Sequence, residues 1–269
     1  MKKRKISVSL KPAIGLAIFL AVISLLIIFL GLSARKSDFF KIKGVIIRQS
    51  QIKGSPLVLA VPQEPVKIDL SYLVGQNIFV VDLGSEEKRL SLAYPGWRQI
   101  KLTRVMPNWL HANFVQRKPA ACVKLYRNFF LDDQGVFFDV GTIDCAQTKL
   151  PLVFGLEGKV FGARPGSKYN IKEVALALEI IKAMQSNRAL KRLSVISVNV
   201  SDAANASFVI GLSQDLNMEV KIGQGFINDK INILSSVLAQ VRNDLAKVKY
   251  IDLRFKEPVI KFTEEKKKR

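Results

Sequence analysis

The sequence has few of the side chains that enzymes use for acid–base or nucleophilic chemistry. Its 269 residues include one histidine, His111, and two cysteines, Cys122 and Cys145. Catalysis by these routes needs a nucleophile, a base or a metal held in a defined arrangement. One imidazole and two distant thiols cannot form a zinc site without carboxylates. We therefore predict that the protein is not an enzyme, and that it has no metal, no cofactor and no small-molecule substrate.

Two glycine-containing stretches imitate nucleotide-binding motifs without matching them. Residues 162–168 hold two glycines and a lysine, but their spacing is not that of a phosphate-binding loop. Gly223-Gln-Gly225 lies between a predicted strand and a predicted helix, with Asn228 where a dinucleotide fingerprint has its third glycine. A strand-to-helix turn is the better interpretation of Gly223-Gln-Gly225.

We expect His111 to lie on the face of its strand opposite Leu110 and Ala112.

Acidic side chains are missing from the first 36 residues, which hold seven Lys or Arg. Residues 13–32 carry no charge at all, and at about 1.5 Å per residue a helix of this length spans about 30 Å, the thickness of a bilayer core. The pattern predicts a transmembrane helix over residues 13–33. A cleaved signal peptide and a buried core helix are the alternatives. The apolar region of a signal peptide is usually shorter, and Leu32-Ser33-Ala34 is a poor cleavage site.

Basic residues flank this helix on both sides, so the orientation depends on a small margin. Five precede it (Lys2, Lys3, Arg4, Lys5 and Lys11) and four follow it (Arg35, Lys36, Lys41 and Lys43). A long following domain can be exported largely regardless of its charge. We therefore predict a short basic cytoplasmic segment over residues 1–12, one membrane crossing, and all later domains outside the cytoplasm.

Removing the basic residues of the first 36 positions leaves 35 basic and 22 acidic side chains, a surplus of thirteen on the exported part. Such a surplus favours anionic lipid headgroups, acidic proteins or anionic wall polymers, and it also suits a merely solvated surface. Nucleic acid is not an expected partner outside the cytoplasm. Residues 264–269 form a charged tail, which we expect to be frayed.

Cys122 and Cys145 are an even pair in a domain that we expect to be exported. An oxidising compartment permits a disulfide between them, whereas two unpaired buried thiols are the alternative. Their spacing fits neither a redox motif nor a zinc knuckle.

The first half of the exported part alternates short strand and helix patterns. We predict strands over residues 39–47, 97–105 and 109–116, helices over residues 69–74 and 85–93, a loop or hairpin insertion over residues 48–65, and a turn at residues 106–108. The positions expected to face one core are Ile100, Leu102, Leu110, Ala112 and Phe114. This order builds an α+β layer in which two helices cover a three-stranded sheet.

The second half predicts a larger sheet with two helices. A meander of short strands is expected over residues 122–126, 129–132 and 136–139, followed by strands over residues 193–200, 207–212, 218–222, 249–255 and 259–262. One helix carries the apolar stripe Ile171, Val174, Ala175, Leu178, Ile181 and Met184, and a second helix over residues 227–246 carries Ile227, Ile231, Leu234, Val237 or Leu238, Val241 and Leu245.

Several motifs occur in an order that resembles the FtsQ/DivIB family of bacterial cell-division proteins. The motifs are Gly75-Gln-Asn-Ile-Phe-Val-Val-Asp82, Pro95-Gly-Trp97, Val105-Met-Pro-Asn-Trp-Leu110, Gln116-Arg-Lys-Pro-Ala120, Leu150-Pro-Leu-Val-Phe-Gly155 and Tyr250-Ile-Asp-Leu-Arg-Phe255. The chain departs from the family pattern by lacking an Arg-x-Trp before Pro107, by Gln116 in place of Glu, and by Phe255 where the family often has Tyr.

The resemblance implies the fold class and the domains. It is α+β, with an N-terminal single transmembrane helix, a POTRA domain (β-α-α-β-β) over residues 38–118, and a mixed β-sheet domain of the FtsQ type with two packing helices over residues 119–263. It also implies a non-enzymatic division protein of the inner membrane, located at the septum. Such a protein recruits FtsB and FtsL and bridges them to the machinery that synthesises septal peptidoglycan.

The last strand pair is the candidate binding site. Alternation sends Ile251, Leu253 and Phe255 to one face, under the second helix, and Tyr250, Asp252 and Arg254 to the other. A half-buried strand with an Asp–Arg pair explains this pattern by itself. A terminal sheet edge can also accept a partner strand, and the resemblance implies partner binding here. The candidate residues are Tyr250, Arg254, Phe255, Lys256 and Val259.

A function of a different class is also consistent with the composition. An envelope-anchored module could bind an anionic polymer or lipid through its basic surface.

Overall fold

The computed structural model describes residues 10–50, 68–139, 144–213 and 216–263. The chain divides into two compact units, which we describe separately. Unit one comprises residues 1–50, 66–90 and 99–114, and unit two comprises residues 51–65, 91–98 and 115–269.

Helix α1, Leu10–Lys36, contains the predicted membrane-spanning segment and extends beyond it at both ends. The stretch Ile18–Lys36 is long and apolar enough to cross a membrane, and the protein buries none of it. A helix that is apolar all round and has none of this stretch buried by the protein fits a lipid environment.

The sheet of unit one contains β1 (Gly44–Ser50), β2 (Trp97–Val105) and β3 (Trp109–Gln116), in the order β1-β3-β2. The bounds of β2 and β3 are those predicted from alternation, and Ile100, Leu102, Leu110, Ala112 and Phe114 are all buried as expected. The turn at residues 106–108 is confirmed, with a cis peptide bond before Pro107.

The prediction for β1 was wrong at its start. Residues Asp38–Phe40 form a 3-10 turn instead of strand, because the Ser37 hydroxyl accepts a hydrogen bond from the Phe39 amide and caps that turn. At its other end β1 continues to Ser50, so the predicted loop over residues 48–65 starts too early. The rest of that loop, from residue 51, lies outside the described residues.

One of the two predicted helices of unit one is only a 3-10 turn, Ser71–Leu73. Asp69 caps it by accepting from the Ser71 amide, and Gly75 ends the segment with a φ of +86°, a conformation that favours glycine. The other helix, α2 (Leu83–Ala93), begins two residues before the prediction because Asp82 accepts from the Gly84 and Ser85 amides. The POTRA assignment therefore stays a prediction.

Unit two contains a nine-stranded mixed sheet in the order β12-β11-β10-β9-β8-β7-β4-β5-β6. Its strands are β4 (Pro119–Lys124), β5 (Asn128–Asp132), β6 (Phe137–Phe138), β7 (Leu152–Phe154), β8 (Ser194–Asn199), β9 (Ser207–Gly211), β10 (Asn217–Lys221), β11 (Val248–Asp252) and β12 (Val259–Phe262). The predicted meander is confirmed, since β4, β5 and β6 pair antiparallel in sequence.

Two helices, α3 (Lys172–Ser186) and α4 (Ile227–Gln240), cover one face of this sheet. Residues such as Val123, Val153, Phe208, Val220 and Ile251 point from successive strands into the same core. The predicted stripe of α4 is confirmed from Ile227 to Leu238, whereas Val241 and Leu245 lie beyond the end of the helix and are only partly buried. Helix α3 exposes Ala175, and it buries Leu176, Ala177 and Ile180 in addition to Val174 and Ile181.

On the second face of the sheet, apolar residues pack together near β4, β5 and β6. A small core there contains Cys122, Phe130, Phe138, Cys145 and Leu150. The two cysteines form a disulfide, which decides between the alternatives left open by the sequence.

Two predicted elements of unit two are too long. Helix α4 ends at Gln240 rather than at residue 246, since Asn243 and Asp244 favour turns and a separate 3-10 turn follows at Leu245–Lys247. Strand β11 ends at Asp252 because the Asp252 carboxylate accepts a hydrogen bond from the Arg254 amide and turns the chain.

Candidate functional site

Strand β12 forms one edge of the nine-stranded sheet. It pairs antiparallel with β11, with Ile260 opposite Ile251 and Val259 opposite Asp252. Within the described ranges, no strand pairs with its other side. The candidate site is therefore the sheet edge that the sequence pattern predicted.

The backbone direction of β12 can be assigned from hydrogen bonds around it. The Leu253 amide donates to the Lys221 carbonyl in β10, so the backbone N–H and C=O groups of Ile251 also point towards β10. The backbone groups of Tyr250 and Asp252 therefore point towards β12. The Thr263 amide donates to Lys247, at the end of the β11–β12 pair. Alternation then directs residues 259, 261 and 263 towards β11.

It follows that the backbone N–H and C=O groups of Ile260 and Phe262 point away from the sheet. An added strand would find its hydrogen-bonding partners at these two residues.

Apolar side chains surround this open edge. The exposed fractions are 62% for Phe255, 48% for Val259 and 45% for Phe262. Phe255 was expected to pack under α4, and that prediction was wrong because the chain has left β11 before it reaches this residue. Ile260, in contrast, packs against the main core and holds β12 on the sheet.

Arg254 is held by a hydrogen-bonded cluster behind the edge. Its guanidinium makes a bidentate contact with the buried Asp252 carboxylate, with Nη2–Oδ2 at 2.6 Å and Nε–Oδ1 at 2.9 Å, and it also donates to the Asn205 side chain. The hydrogen bond from Arg254 is the main cause that lowers the pKa of Asp252 below its ordinary value. Arg254 therefore fixes the turn that presents Phe255.

The remaining predicted residues lie near the same edge. Tyr250 is half-buried on the face opposite the helices, with the Lys221 ammonium 4.3 Å from its ring centre. Lys256 is exposed in the turn before β12. The structure thus brings all five predicted positions to one end of the sheet, on both sides of the turn that joins β11 and β12.

Sequence reasoning missed Phe262 and Asn205. Phe262 could have been found from its position, since it is an aromatic residue at the end of an edge strand and directly before a charged tail. Asn205 could not, because it follows β8 and lies 49 residues from Arg254 in the sequence.

The other candidate residues of the sequence lie in β3 and in the turn between β10 and α4. In the described part of the chain, no three His, Cys, Asp or Glu residues are grouped to hold a metal ion. His111 is half-buried on β3, on the face opposite Leu110 and Ala112, as predicted. Gly223 and Gly225 form the turn between β10 and α4, with φ values of +62° and +75°.

Comparisons with known proteins agree with the sequence motifs. The family described as "Cell division protein FtsQ/DivIB, C-terminal" matches residues 121–254, which begin in β4 and end just before the open edge. A cell division protein FtsQ from Geotalea daltonii is 24% identical over 187 residues, covering 69% of this chain and 65% of the relative. This chain thus spans slightly less than two thirds of that relative's length.

Two further relatives are matched over more of their length. Cell division protein FtsQ from Anaeromyxobacter sp. (strain K) is 27% identical over 216 residues, covering 79% of this chain and 70% of the relative. The protein of that name from Geobacter sp. (strain M21) is 23% identical over 215 residues, covering 80% and 76% respectively.

Proposed function

We propose that this chain, which belongs to the FtsQ/DivIB family, is a membrane-anchored cell-division protein that acts by binding, without catalysis of its own. Helix α1 crosses the inner membrane once, with the N-terminus in the cytoplasm. A POTRA domain over residues 38–118 and an FtsQ-type β domain over residues 119–263 lie outside it, at the division septum.

The open edge at β12 is the surface where the protein binds its division partners. A segment of an FtsB-type protein, itself paired with an FtsL-type protein, adds as a further strand beside β12. The complex then bridges the anchored chain to the machinery that synthesises septal peptidoglycan.

One observation carries this proposal. The outward backbone groups of Ile260 and Phe262 lie between exposed apolar side chains at the sheet edge. Long exposed apolar edges promote pairing with other chains, and proteins usually avoid them. In strand addition, backbone hydrogen bonds supply affinity and side-chain contacts supply specificity.

The predicted residues have different parts in this proposal. Phe255 and Val259 contact the partner, since both are exposed, and Lys256 adds a positive charge at the rim. Arg254 positions the turn through Asp252 and Asn205. Tyr250 supports the adjoining face of the sheet. Val259 lies opposite Asp252 in the β11–β12 pair, two residues along β11 from Tyr250.

The experiment compares Phe262→Ala with Phe262→Pro in the full chain, reconstituted in nanodiscs with the FtsB and FtsL homologues of its own genome. Both variants lose the aromatic ring, but only proline removes the outward N–H, and edge positions of this kind tolerate proline. One lost hydrogen bond of about 1 kcal/mol predicts an affinity several-fold weaker for the proline variant than for the alanine variant.

Equal affinities of these two variants would contradict strand addition. Thermal unfolding of both verifies that the sheet is intact. A titration with salt separates the proposal from binding of an anionic polymer, because a shaped apolar edge keeps its affinity at high ionic strength whereas diffuse charge attraction is screened.

A further inference from the structure

The end of helix α1 is fastened to unit one by a side chain. The Asn77 amide donates to the Ala34 carbonyl at 2.9 Å and to the Ser37 carbonyl at 3.3 Å. The Ala34 carbonyl lies in the last turn of the helix, where intrahelical donors are missing, and the Ser37 carbonyl lies just beyond it. Asn77 therefore holds the rest of unit one directly against the end of the membrane-spanning helix.

The segments on either side of this joint are paired with each other. The Ile78 amide donates to the Phe40 carbonyl at 2.9 Å, and the Ile42 amide donates to the Gln76 carbonyl at 2.8 Å. The ring of Phe40 lies 5.0 Å from that of Phe79 and 5.1 Å from that of Phe39. Side chains of both segments are thus held beside the end of α1.

Three apolar side chains of this joint are exposed: Phe39 and Val80 at 63% each, and Phe79 at 38%. Basic residues accompany them, since Arg35 and Lys36 end the helix and Lys41 is exposed beside Asp38, to which it is ion-paired. We call these six residues the collar: Arg35, Lys36, Phe39, Lys41, Phe79 and Val80.

We propose that the collar rests in the bilayer interface, with Phe39, Phe79 and Val80 at the boundary of the acyl chains and the basic residues on anionic phospholipid headgroups. The span Ile18–Lys36 reaches about 29 Å at about 1.5 Å per residue, so its C-terminal end lies at headgroup depth. Phe39 follows within about 10 Å of chain.

The residue types of the collar match those that membrane proteins place at the bilayer interface. Apolar side chains, Phe among them, bury at the boundary between headgroups and acyl chains when basic residues accompany them, and basic side chains near a helix end extend to the headgroups. Anionic lipids attract such residues and neutral lipids do not. A lipid surface is therefore the occupant that covers these apolar side chains, and this contact requires no protein partner.

The test uses the full chain in nanodiscs without any partner protein. The two native cysteines are joined in a disulfide, so Val80→Cys introduces one free thiol for a nitroxide label. Gln99→Cys is the matched control, because Gln99 is exposed in the same unit but lies at the far end of β2 from the joint. About 20 Å of strand separates it from Val105, at the near end. Val105 precedes the turn at residues 106–108. In that turn the Asn108 carbonyl accepts a hydrogen bond from the Lys43 backbone amide, near the joint.

Electron paramagnetic resonance with oxygen and a water-soluble nickel complex reports the depth of each label. We expect the label at residue 80 to collide more with oxygen and less with nickel, and the label at residue 99 to show the reverse. Equal access of nickel to both labels would overturn the proposal. Phe39→Cys, labelled in the same way, gives an independent reading if the Val80→Cys variant does not fold.

Lipid composition tests the charged half of the collar. Replacing pure phosphatidylcholine by a mixture with phosphatidylglycerol is expected to lower nickel access at residue 80 further, and Lys36→Gln with Lys41→Gln is expected to abolish that difference. A depth that does not change with lipid charge would overturn the role assigned to the basic residues.

Discussion

The two edges of the nine-stranded sheet differ in how completely the protein covers them. Strand β6 has two residues, Phe137 and Phe138, and both are fully buried. The Phe137 amide donates to the Ser167 carbonyl, and the Phe137 carbonyl accepts from the Gly166 amide. Strand β12 is longer and exposed, and no described strand lies against its outer side.

The face of the sheet opposite the helices is also more completely covered near β6 than near β12. Near β6 it is covered by Phe130, Leu150 and the disulfide between Cys122 and Cys145. Near β12 it carries Tyr250, whose ring contacts the Lys221 ammonium, and Asp252, which is ion-paired with Arg254. One end of the sheet is thus built as a core and the other as a surface.

This difference shows that an exposed edge strand, as at β12, is not a general property of this sheet. The same sheet covers its other edge with one short segment. Leaving an apolar edge open carries a risk of aggregation, and the proposed binding of another chain would cover this edge. The following predictions test whether the two edges differ in stability and in binding as this comparison requires.

The largest expected effect is at the closed edge. Phe138→Ala removes a fully buried ring and is expected to lower the free energy of unfolding by about 3–5 kcal/mol. Phe262→Ala, at the open edge, removes a ring that is almost half exposed and should cost about 1 kcal/mol or less. Urea unfolding of both variants measures the contrast, and equal losses would show that the edges do not differ.

The disulfide should contribute to stability and not to binding. Cys122 and Cys145 are 23 residues apart, and closing a loop of this size stabilises a fold by about 3 kcal/mol. The double variant Cys122→Ala with Cys145→Ala should therefore lower the free energy of unfolding by roughly this amount and leave affinity for the partner unchanged when assayed below its unfolding transition. A variant that is folded but has lost binding would contradict the separation of the two ends.

Phe255 should show the opposite behaviour. Its ring is mostly exposed, so Phe255→Ala is expected to change the free energy of unfolding by about 0.5 kcal/mol or less. If the ring anchors the partner, affinity should fall about tenfold, or about 1.4 kcal/mol. Calorimetric titration measures the affinity, with Phe161→Ala as a control at another exposed ring of unit two.

The smallest effect should appear in the pH dependence of stability. Arg254 lowers the pKa of Asp252 in the folded state, so the stabilisation is fully present above the unfolded pKa of about 3.9 and is lost as the pH falls below it. Wild type should therefore exceed Asp252→Asn by about 1 kcal/mol near neutral pH. This difference should shrink as the pH falls from about 5 towards 2, and a difference that is independent of pH would contradict this linkage.

Local patterns predicted much of the fold. The alternation in Trp97–Val105 and Trp109–Gln116 gave the bounds of β2 and β3, and the helical stripe of Ile227, Ile231 and Leu234 located α4. These segments are long enough for one periodicity to dominate, and their apolar residues face one core. The uncharged run of residues 13–32 likewise predicted the membrane anchor.

The errors occurred where a polar side chain redirects the backbone. Asp252 turns the chain towards Arg254 and ends β11, so Phe255 lies at the surface although alternation placed it in the core. Ser37 has a comparable effect before β1. Such bonds depend on one side chain each, and a periodic pattern does not record them.

Contacts between distant segments were not predictable from local patterns. Strand β7 pairs parallel with both β4 and β8, and β10 pairs parallel with β11 across α4. The link between Arg254 and Asn205 has the same origin. The edge position of β12 was nevertheless predicted, and among the described strands only β11 pairs with it.

Arg104 illustrates a residue whose role needs the structure. Its guanidinium donates to the carbonyls of Ile78 and Val81, which ties the end of β2 to the segment beside α1. The sequence offers a signal in the placement of this arginine shortly before Pro107. That signal was not used in the prediction.

Amide hydrogen exchange along β12, with and without the soluble segment of the FtsB-type partner, tests the central claim most directly. In the free protein, the outward amides of Ile260 and Phe262 should exchange quickly, while the Lys261 amide, directed towards β11, should be protected. Bound partner should slow exchange at Ile260 and Phe262 and leave Lys261 nearly unchanged. Rapid exchange at both outward amides in a complex that is demonstrably formed would contradict strand addition at this edge.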